Sequence, residues 1–178
     1  MPDKNSNDGA SQSRTHTVTW DDPLISAKQV GKESGLDFLR RLVRGEISPP
    51  PIASLLSFRL VEVELGSAVF EIEPAEFHYN PIGVVHGGVA GTLLDSCMGC
   101  AVQSTLPAGM GYTTLEFKVN LVRPVTKQTG LMRAEGRVVH PGSRVATAEG
   151  KLIDGAGKIY AHGTTTCMIF PVKSELQV

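Results

Sequence analysis

The chain has 178 residues, of which 41% are hydrophobic and 20% charged, and its formal net charge at pH 7 is -1. This length and composition predict one globular domain with room for a core and argue against a disordered chain. The near-neutral charge argues against a nucleic-acid partner or an anionic-membrane patch, and no apolar run approaches the roughly 18 residues of a membrane-spanning helix.

The amino terminus and the cysteine content both favour a cytoplasmic protein. The first residues lack the basic-then-apolar order of a signal peptide, so export is not expected. Three cysteines do not make a disulfide framework, and a reducing compartment suits them.

The first part of the chain is expected to precede the main domain. It begins with a stretch rich in Asn, Ser, Thr and Asp, which is typical of a flexible polar tail. A short amphipathic helix is predicted from Gly35 to about Gly45, followed by a stiff proline-rich connector. The expected division is a tail over 1–25, an N-terminal helix and connector over 26–52, the main domain over 53–172 and a C-terminal tail over 173–178.

A β-hairpin is predicted next. Val61–Leu65 and Val69–Glu73 both alternate apolar and polar residues, and Gly66-Ser67 between them are typical of a turn. A loop from Pro74 to Val85 should follow.

The segment Gly87–Leu106 predicts a buried helix. Asp95 is its only charged residue, and apolar residues occupy nearly every face. Four glycines make it a poor helix in isolation, so packing against other elements must stabilise it. We therefore expect a central helix wrapped by a sheet.

Four strands are predicted after this helix. In Thr114–Leu121 polar and apolar residues alternate, which places Thr114 on the polar side. Tight turns should separate the strands, so the pairing is expected to be antiparallel. The fold class is then α+β, with a long central helix held against a curved antiparallel β-sheet and an extra N-terminal helix. The three further strands are expected over Leu131–His140, Arg144–Asp154 and about Ile159–Phe170.

A motif at the start of the buried helix points to chemistry. Asn80 precedes His86-Gly87-Gly88, and Asp95 follows nine residues after His86. The first N–H groups of a helix have no partner inside it, and glycine lets a ligand approach the backbone closely. Gly87 and Gly88 could therefore stabilise a carbonyl oxygen as it becomes an oxyanion. The Asp95 carboxylate could activate water or attack directly.

This motif and the order of elements resemble the hotdog-fold acyl-CoA thioesterases of the phenylacetate-pathway type. The resemblance covers roughly Leu55 to Phe170 and includes Val122-Arg123-Pro124 after the helix and its next strand. It implies a hotdog fold and the hydrolysis of acyl-CoA thioesters, with CoA as part of the substrate and no separate cofactor or metal.

The resemblance also implies roles for the motif. Asp95 would be the general base or the nucleophile, and the Gly87 N–H would polarise the thioester carbonyl. Asn80 would orient water or the oxyanion. His86 would hold the loop and the carbonyl rather than act as a base.

Further residues are expected near the substrate by the same resemblance. Family members often carry a hydroxyl residue on the strand after the helix, which helps to position water. Anchoring on Arg123 assigns Thr114 to this role, with Thr113 one register away as the alternative. Arg123, Arg144 and Lys158 are candidate contacts for the CoA phosphates.

Spacing along the helix adds a requirement. At about 1.5 Å per residue, Asp95 lies on the order of 12 Å from Gly87 along the axis. A reacting carbonyl should lie about 3 Å from both the oxyanion donors and the nucleophile. We therefore expect a homodimer with antiparallel helices, in which Asp95 of one chain faces Gly87 of the other. The resemblance implies the same shared sites and further suggests a homotetramer, a dimer of dimers.

Structural interpretations of these residues stay open. Asp95 could be a buried structural carboxylate, and the glycines could serve close packing alone. Cys97 and Cys100 have a Cys-x-x-Cys spacing, but their place in an apolar helix favours core packing over a redox or zinc role. The other histidines have no metal-ligand spacing and are expected in loops or at solvent: His16, His78, His140 and His162.

Two other functions compete with hydrolysis. A hotdog dehydratase or hydratase of 3-hydroxyacyl thioesters also pairs a histidine with an acidic helix residue, but its His-x-x-x-x-Pro-Gly context before the helix is missing here. A non-catalytic acyl-CoA-binding protein could keep the pocket without turnover.

Overall fold

The computed structural model describes residues 13–172, so residues 1–12 of the predicted polar tail and the predicted C-terminal tail lie outside the described residues. Within this range the helices are α1 (Pro23–Ala27), α2 (Gly35–Val43), α3 (Pro51–Leu55) and α4 (Gly87–Ser104). The strands are β1 (Phe58–Glu64), β2 (Ser67–Ile72), β3 (Met110–Leu121), β4 (Met132–His140), β5 (Val145–Asp154) and β6 (Ile159–Pro171). None of these helices is long and apolar enough to cross a membrane.

The two shortest helices lie where a tail and a connector were expected. Asp22 accepts a hydrogen bond from the Leu24 N–H, and Pro23 occupies the first turn, so α1 begins inside the predicted tail. Pro51 likewise starts α3, so the last proline of the connector begins a helix. The amphipathic helix predicted from Gly35 is confirmed as α2. The domain bounds themselves stay predictions.

The strands form one sheet in the order β1-β2-β4-β5-β6-β3, and every neighbouring pair is antiparallel. Helix α4 packs across this sheet, and Leu93, Leu94 and Met98 are at most 1% exposed. The predicted α+β arrangement, with a hairpin, a buried helix and four further strands, is confirmed. Cys97 is also fully buried in the core, and burial raises the pKa of its thiol, so it stays uncharged.

Two glycines allow α4 to lie close to the sheet. Gly136 of β4 and Gly150 of β5 are paired directly across the two strands. A Cβ on Gly136 would lie 2.3 Å from the Cys97 carbonyl oxygen, which belongs to the helix backbone. A Cβ on Gly150 would first meet the Met98 side chain, at 3.0 Å. Only the first contact cannot be relieved by rotating a side chain.

We expect Gly136→Ala to destabilise the protein much more than Gly150→Ala. The methyl group at position 136 must push α4 away from the sheet, and overpacking of this kind costs about 3 kcal/mol of unfolding free energy. At position 150 the flexible Met98 side chain can move aside, so we expect a loss of about 1 kcal/mol. Urea unfolding followed by circular dichroism measures both. Equal losses would contradict this explanation of the helix position.

Candidate active site

Every fourth residue of α4 from Gly87 to Gly99 faces strand β3. Three of these four positions are glycines, so the strand lies against the helix backbone, and Asp95 is the fourth. As the helix advances, its contacts move back along β3, so the two elements run antiparallel. The facing pairs are Gly87 with Leu121, Gly91 with Phe117, Asp95 with Thr114 and Gly99 with Tyr112.

The Asp95 carboxylate is half-buried between α4 and β3. Thr114 Oγ1 donates a hydrogen bond to Asp95 Oδ1 over 2.9 Å. Thr113 is exposed and donates no hydrogen bond to Asp95. Of the two hydroxyl residues considered from the sequence, the structure therefore brings Thr114 to the carboxylate.

A β-bulge places Thr114 on the helix side of β3. Regular alternation predicts Thr114 on the polar side together with Glu116, and that prediction is wrong for Thr114. Leu115 is an extra residue in the pairing with β6, since Thr114 and Glu116 pair with consecutive residues of that strand. The side-chain pattern shifts by one residue at the bulge, so both Thr114 and Phe117 reach α4.

Two titratable side chains near Asp95 are uncharged at neutral pH. Burial raises the pKa of the Cys100 thiol to about 12, and the negative charge of Asp95 adds to this shift. Burial also raises the pKa of the Tyr112 hydroxyl, with smaller contributions from nearby acidic groups. Neither side chain therefore carries a negative charge at neutral pH, and Cys100 fits the core-packing interpretation.

His86 caps the N-terminus of α4. Its Nδ1 accepts a hydrogen bond from the Gly88 N–H over 2.9 Å, so Nε2 of the exposed ring carries the N–H. The Gly88 N–H, which was expected to help bind an oxyanion, is thus used by the cap. The Gly87 N–H donates to no other residue within 13–172, so it is the free backbone donor at this helix end.

Asn80 organises the loop before the helix. Its Oδ1 accepts hydrogen bonds from the Ile82 and Val84 N–H groups, at 3.1 and 3.3 Å. With Oδ1 used in this turn, the side chain can offer its Nδ2–H groups to a ligand. Asn80 and Gly87 both line a cavity that opens at the start of α4.

His78 lies in the loop before α4, one of the two places expected for it, but it is buried there. It is 3% exposed, its Nδ1 accepts from the Ala75 N–H, and its Nε2 donates to the Leu56 carbonyl, both over 3.0 Å. Burial lowers its pKa, so the ring is neutral. The His86 N–H donates to the His78 carbonyl over 2.8 Å, so this buried ring anchors the loop that carries His86. No spacing in the sequence indicates these backbone partners.

A cavity of about 310 Å³ opens beside Gly87 and extends under the first half of α4. Asn80, His86 and Arg123 line it near the surface, whereas Asp95 does not line it. The inner wall was not predicted from the sequence, because its residues come from α4 and four separate strands and have the pattern of ordinary core residues. That wall includes Ile72, Leu93, Met132, Leu152 and Ala161.

The three cations predicted to contact phosphate lie in two places. The Arg123 guanidinium donates to a backbone carbonyl of β6, and Lys158 Nζ lies 5.9 Å from the centroid of the Tyr160 ring, which lines the cavity. Arg144 lies near the other end of β6, where its carbonyl accepts from the Ile169 N–H. All three are exposed, and only Arg123 and Lys158 are close to the cavity.

Strand β3 is an edge of the sheet and exposes apolar side chains. Leu115, Phe117 and Leu121 are 56%, 44% and 58% exposed, although Phe117 and Leu121 face α4. No other element within residues 13–172 pairs with the free side of this strand. Exposed apolar residues along an unpaired strand are typical of a surface that contacts another chain.

The chain is similar to known thioesterases and esterases. Residues 82–161 match the Thioesterase superfamily. A protein of Saccharolobus solfataricus that is named as an esterase is 32% identical over 124 residues, which make up 70% of this chain and 86% of that protein. The 1,4-dihydroxy-2-naphthoyl-CoA hydrolase of Listeria monocytogenes is 28% identical over 104 residues, with 58% of this chain and 83% of that protein covered.

A solved structure from Ralstonia eutropha, described as a thioesterase and phenylacetic acid degradation-related protein, is also similar. It is 32% identical, with a TM-score of 0.66, and the match covers 72% of this chain and 97% of that one. The similarity therefore extends over nearly the whole of that structure.

Proposed function

Because the chain belongs to the thioesterase superfamily and has its hotdog fold, we propose that it hydrolyses acyl-CoA thioesters to a free acid and CoA. One observation carries the proposal. The Asp95 carboxylate and the free Gly87 N–H both belong to α4, and both residues lie against the edge strand β3, where Thr114 donates to Asp95. A carboxylate and an oxyanion donor are the two groups that hydrolysis requires, and water completes the reaction without a cofactor.

We place the complete site between two copies of the chain. The axial distance of about 12 Å between Gly87 and Asp95 is too long for one carbonyl to reach both. A second copy on the edge of β3 would cover the exposed Phe117 and Leu121. It would also lay its α4 alongside the first in the opposite direction, with Asp95 of each chain facing Gly87 of the other. A dimer of dimers, as in the family resemblance, is the further assembly that we propose.

The proposed mechanism assigns one task to each group. The Gly87 N–H, at the positive end of α4, donates to the thioester oxygen and stabilises the oxyanion as it forms. The Asn80 Nδ2–H and the His86 Nε2–H lie near the same cavity and can add donors. Asp95 is oriented by Thr114 and either takes the proton of the attacking water or attacks the carbonyl itself. Collapse of the intermediate then expels the CoA thiolate, which takes up a proton. When water is the nucleophile the free acid forms directly; when Asp95 is the nucleophile, water hydrolyses the mixed anhydride formed on Asp95 and releases the free acid.

We expect free thiol to appear when the purified protein is incubated with hexanoyl-, benzoyl- or phenylacetyl-CoA. A thiol-specific chromogenic reagent measures the rate, and crotonyl-CoA tests the competing chemistry. Hydration of crotonyl-CoA without thiol release would contradict the proposal and favour a hydratase. Binding of the thioesters without any turnover would contradict it in favour of an acyl-CoA-binding protein.

A further inference from the structure

We propose that the cavity beside Gly87 is the acyl pocket, and that it admits uncharged apolar acyl groups of medium size but excludes acyl groups that end in a carboxylate. This inference rests on the proposed function. It narrows the substrate class beyond acyl-CoA in general and assigns the residues that limit the acyl group.

The cavity has an exposed rim and a buried floor. His86 and Arg123 are exposed at the rim, whereas Leu93, Met132 and Leu152 are at most 2% exposed. A group that enters past Gly87 therefore ends inside the core of one chain.

The acyl group is the part of the substrate that can end there. The CoA portion carries phosphates, which need water or cations, so it must lead back to the surface. With the thioester carbonyl at Gly87, the acyl chain can fill the cavity. The CoA part of the bound substrate then extends to the surface past the exposed Arg123 and Lys158.

The inner cavity has no cation to pair with a terminal carboxylate among its described lining residues. The two ring nitrogens of His78 already bond to backbone groups, and His86 is exposed at the rim with its Nδ1 used in the cap of α4, so neither ring supplies a buried cation. Burial and the Asp154 carboxylate raise the pKa of Tyr160, which stays a neutral phenol. Arg123 is exposed at the rim. A buried carboxylate would thus be unpaired, which is strongly unfavourable.

The volume limits the length of the acyl group. About 310 Å³ lies at the lower end of the range of roughly 300–1,000 Å³ that is typical of small-molecule sites. A medium aliphatic chain or a single aromatic ring is therefore the expected occupant, rather than a long fatty acyl chain.

Two consecutive leucines of α4 provide a matched test. Leu93 and Leu94 are both at most 1% exposed, but only Leu93 lines the cavity. We expect Leu93→Ala to raise the ratio of kcat/KM for decanoyl-CoA to that for hexanoyl-CoA by about tenfold or more, because removed methyl groups open the floor. Leu94→Ala should leave this ratio unchanged, although it also removes core packing. In the unmodified protein, hexanoyl-CoA should exceed glutaryl-CoA by about 10²-fold in kcat/KM.

A second variant keeps the test decisive if Leu93→Ala does not fold. Ala90 also lines the cavity, and Ala90→Leu fills it from the same helix, so the decanoyl-to-hexanoyl ratio should fall about tenfold. An unchanged ratio in the folded cavity variants, or equal rates with glutaryl- and hexanoyl-CoA, would overturn the pocket assignment. If no thioester releases thiol at all, the proposed function fails instead.

Discussion

Asp95→Asn is expected to lower kcat by at least about 10²-fold, as the loss of a general base does. The substitution removes the negative charge but keeps an oxygen that can accept the hydrogen bond from Thr114 Oγ1. The position of the side chain should therefore be preserved while its chemistry is lost. The rate of thiol release under saturating acyl-CoA measures the effect.

A matched carboxylate on the neighbouring strand serves as the control. Glu116 lies just after the bulge of β3 and accepts a hydrogen bond from Thr166 on β6, not from a residue of α4. Glu116→Gln should leave kcat close to that of the unmodified protein. Gel filtration and circular dichroism should show the same assembly and fold for both variants. A folded Asp95→Asn protein with normal turnover would make Asp95 a structural carboxylate.

Gly87→Pro is expected to lower kcat by about 10²–10³-fold relative to Gly87→Ala, because proline removes the N–H that polarises the carbonyl. Gly87 is the first residue of α4, where proline is well tolerated. His86 has φ of -60° and ψ of 134°, an extended conformation that suits the residue before proline. Single-turnover kinetics with benzoyl-CoA would measure the difference.

Gly87→Ala is the appropriate reference because it adds the same Cβ. In both variants that atom meets the Leu121 Cδ1 atom, 2.5 Å from its ideal position, so Leu121 must move in each. Alanine nevertheless keeps the N–H. Similar rates for the two variants would exclude the Gly87 N–H as the oxyanion donor.

Mixing the two inactive variants tests whether sites are shared. In a heterodimer of Asp95→Asn and Gly87→Pro chains, one site combines the intact Asp95 with the intact Gly87, and the other site has neither. With random exchange of equal amounts, half of the dimers are mixed, so about a quarter of the original activity should return. Mass spectrometry of differently tagged chains verifies the exchange. No recovery despite exchange would place each site within one chain.

Local patterns in the sequence were enough to predict the architecture. The nearly uncharged segment from Gly87 indicates a buried helix, since a single charged residue among apolar and small residues leaves no charged face for solvent. Turn residues and alternation indicate the strands, and both signals come from adjacent residues. Asn80, His86 and Asp95 could also be selected from the sequence as candidate site residues, because their spacing around the helix start is local.

Only the tertiary structure decided which atoms of the site are available. Thr114 reaches Asp95 because Leu115 is an extra residue in the pairing with β6, and this register depends on a strand about 50 residues later. The Gly88 N–H is used by His86, which leaves Gly87 as the free donor.

The cavity and its floor likewise became visible only in the folded chain. Leu93, Met132 and Leu152 are ordinary apolar residues in the sequence, and what separates them from the rest of the core is the space that they surround. Hydrophobic periodicity indicates which side of an element is buried, because the polarity of each residue can be read directly from the sequence. Strand register, cap hydrogen bonds and empty volume depend on several distant segments at once, so no local pattern contains them.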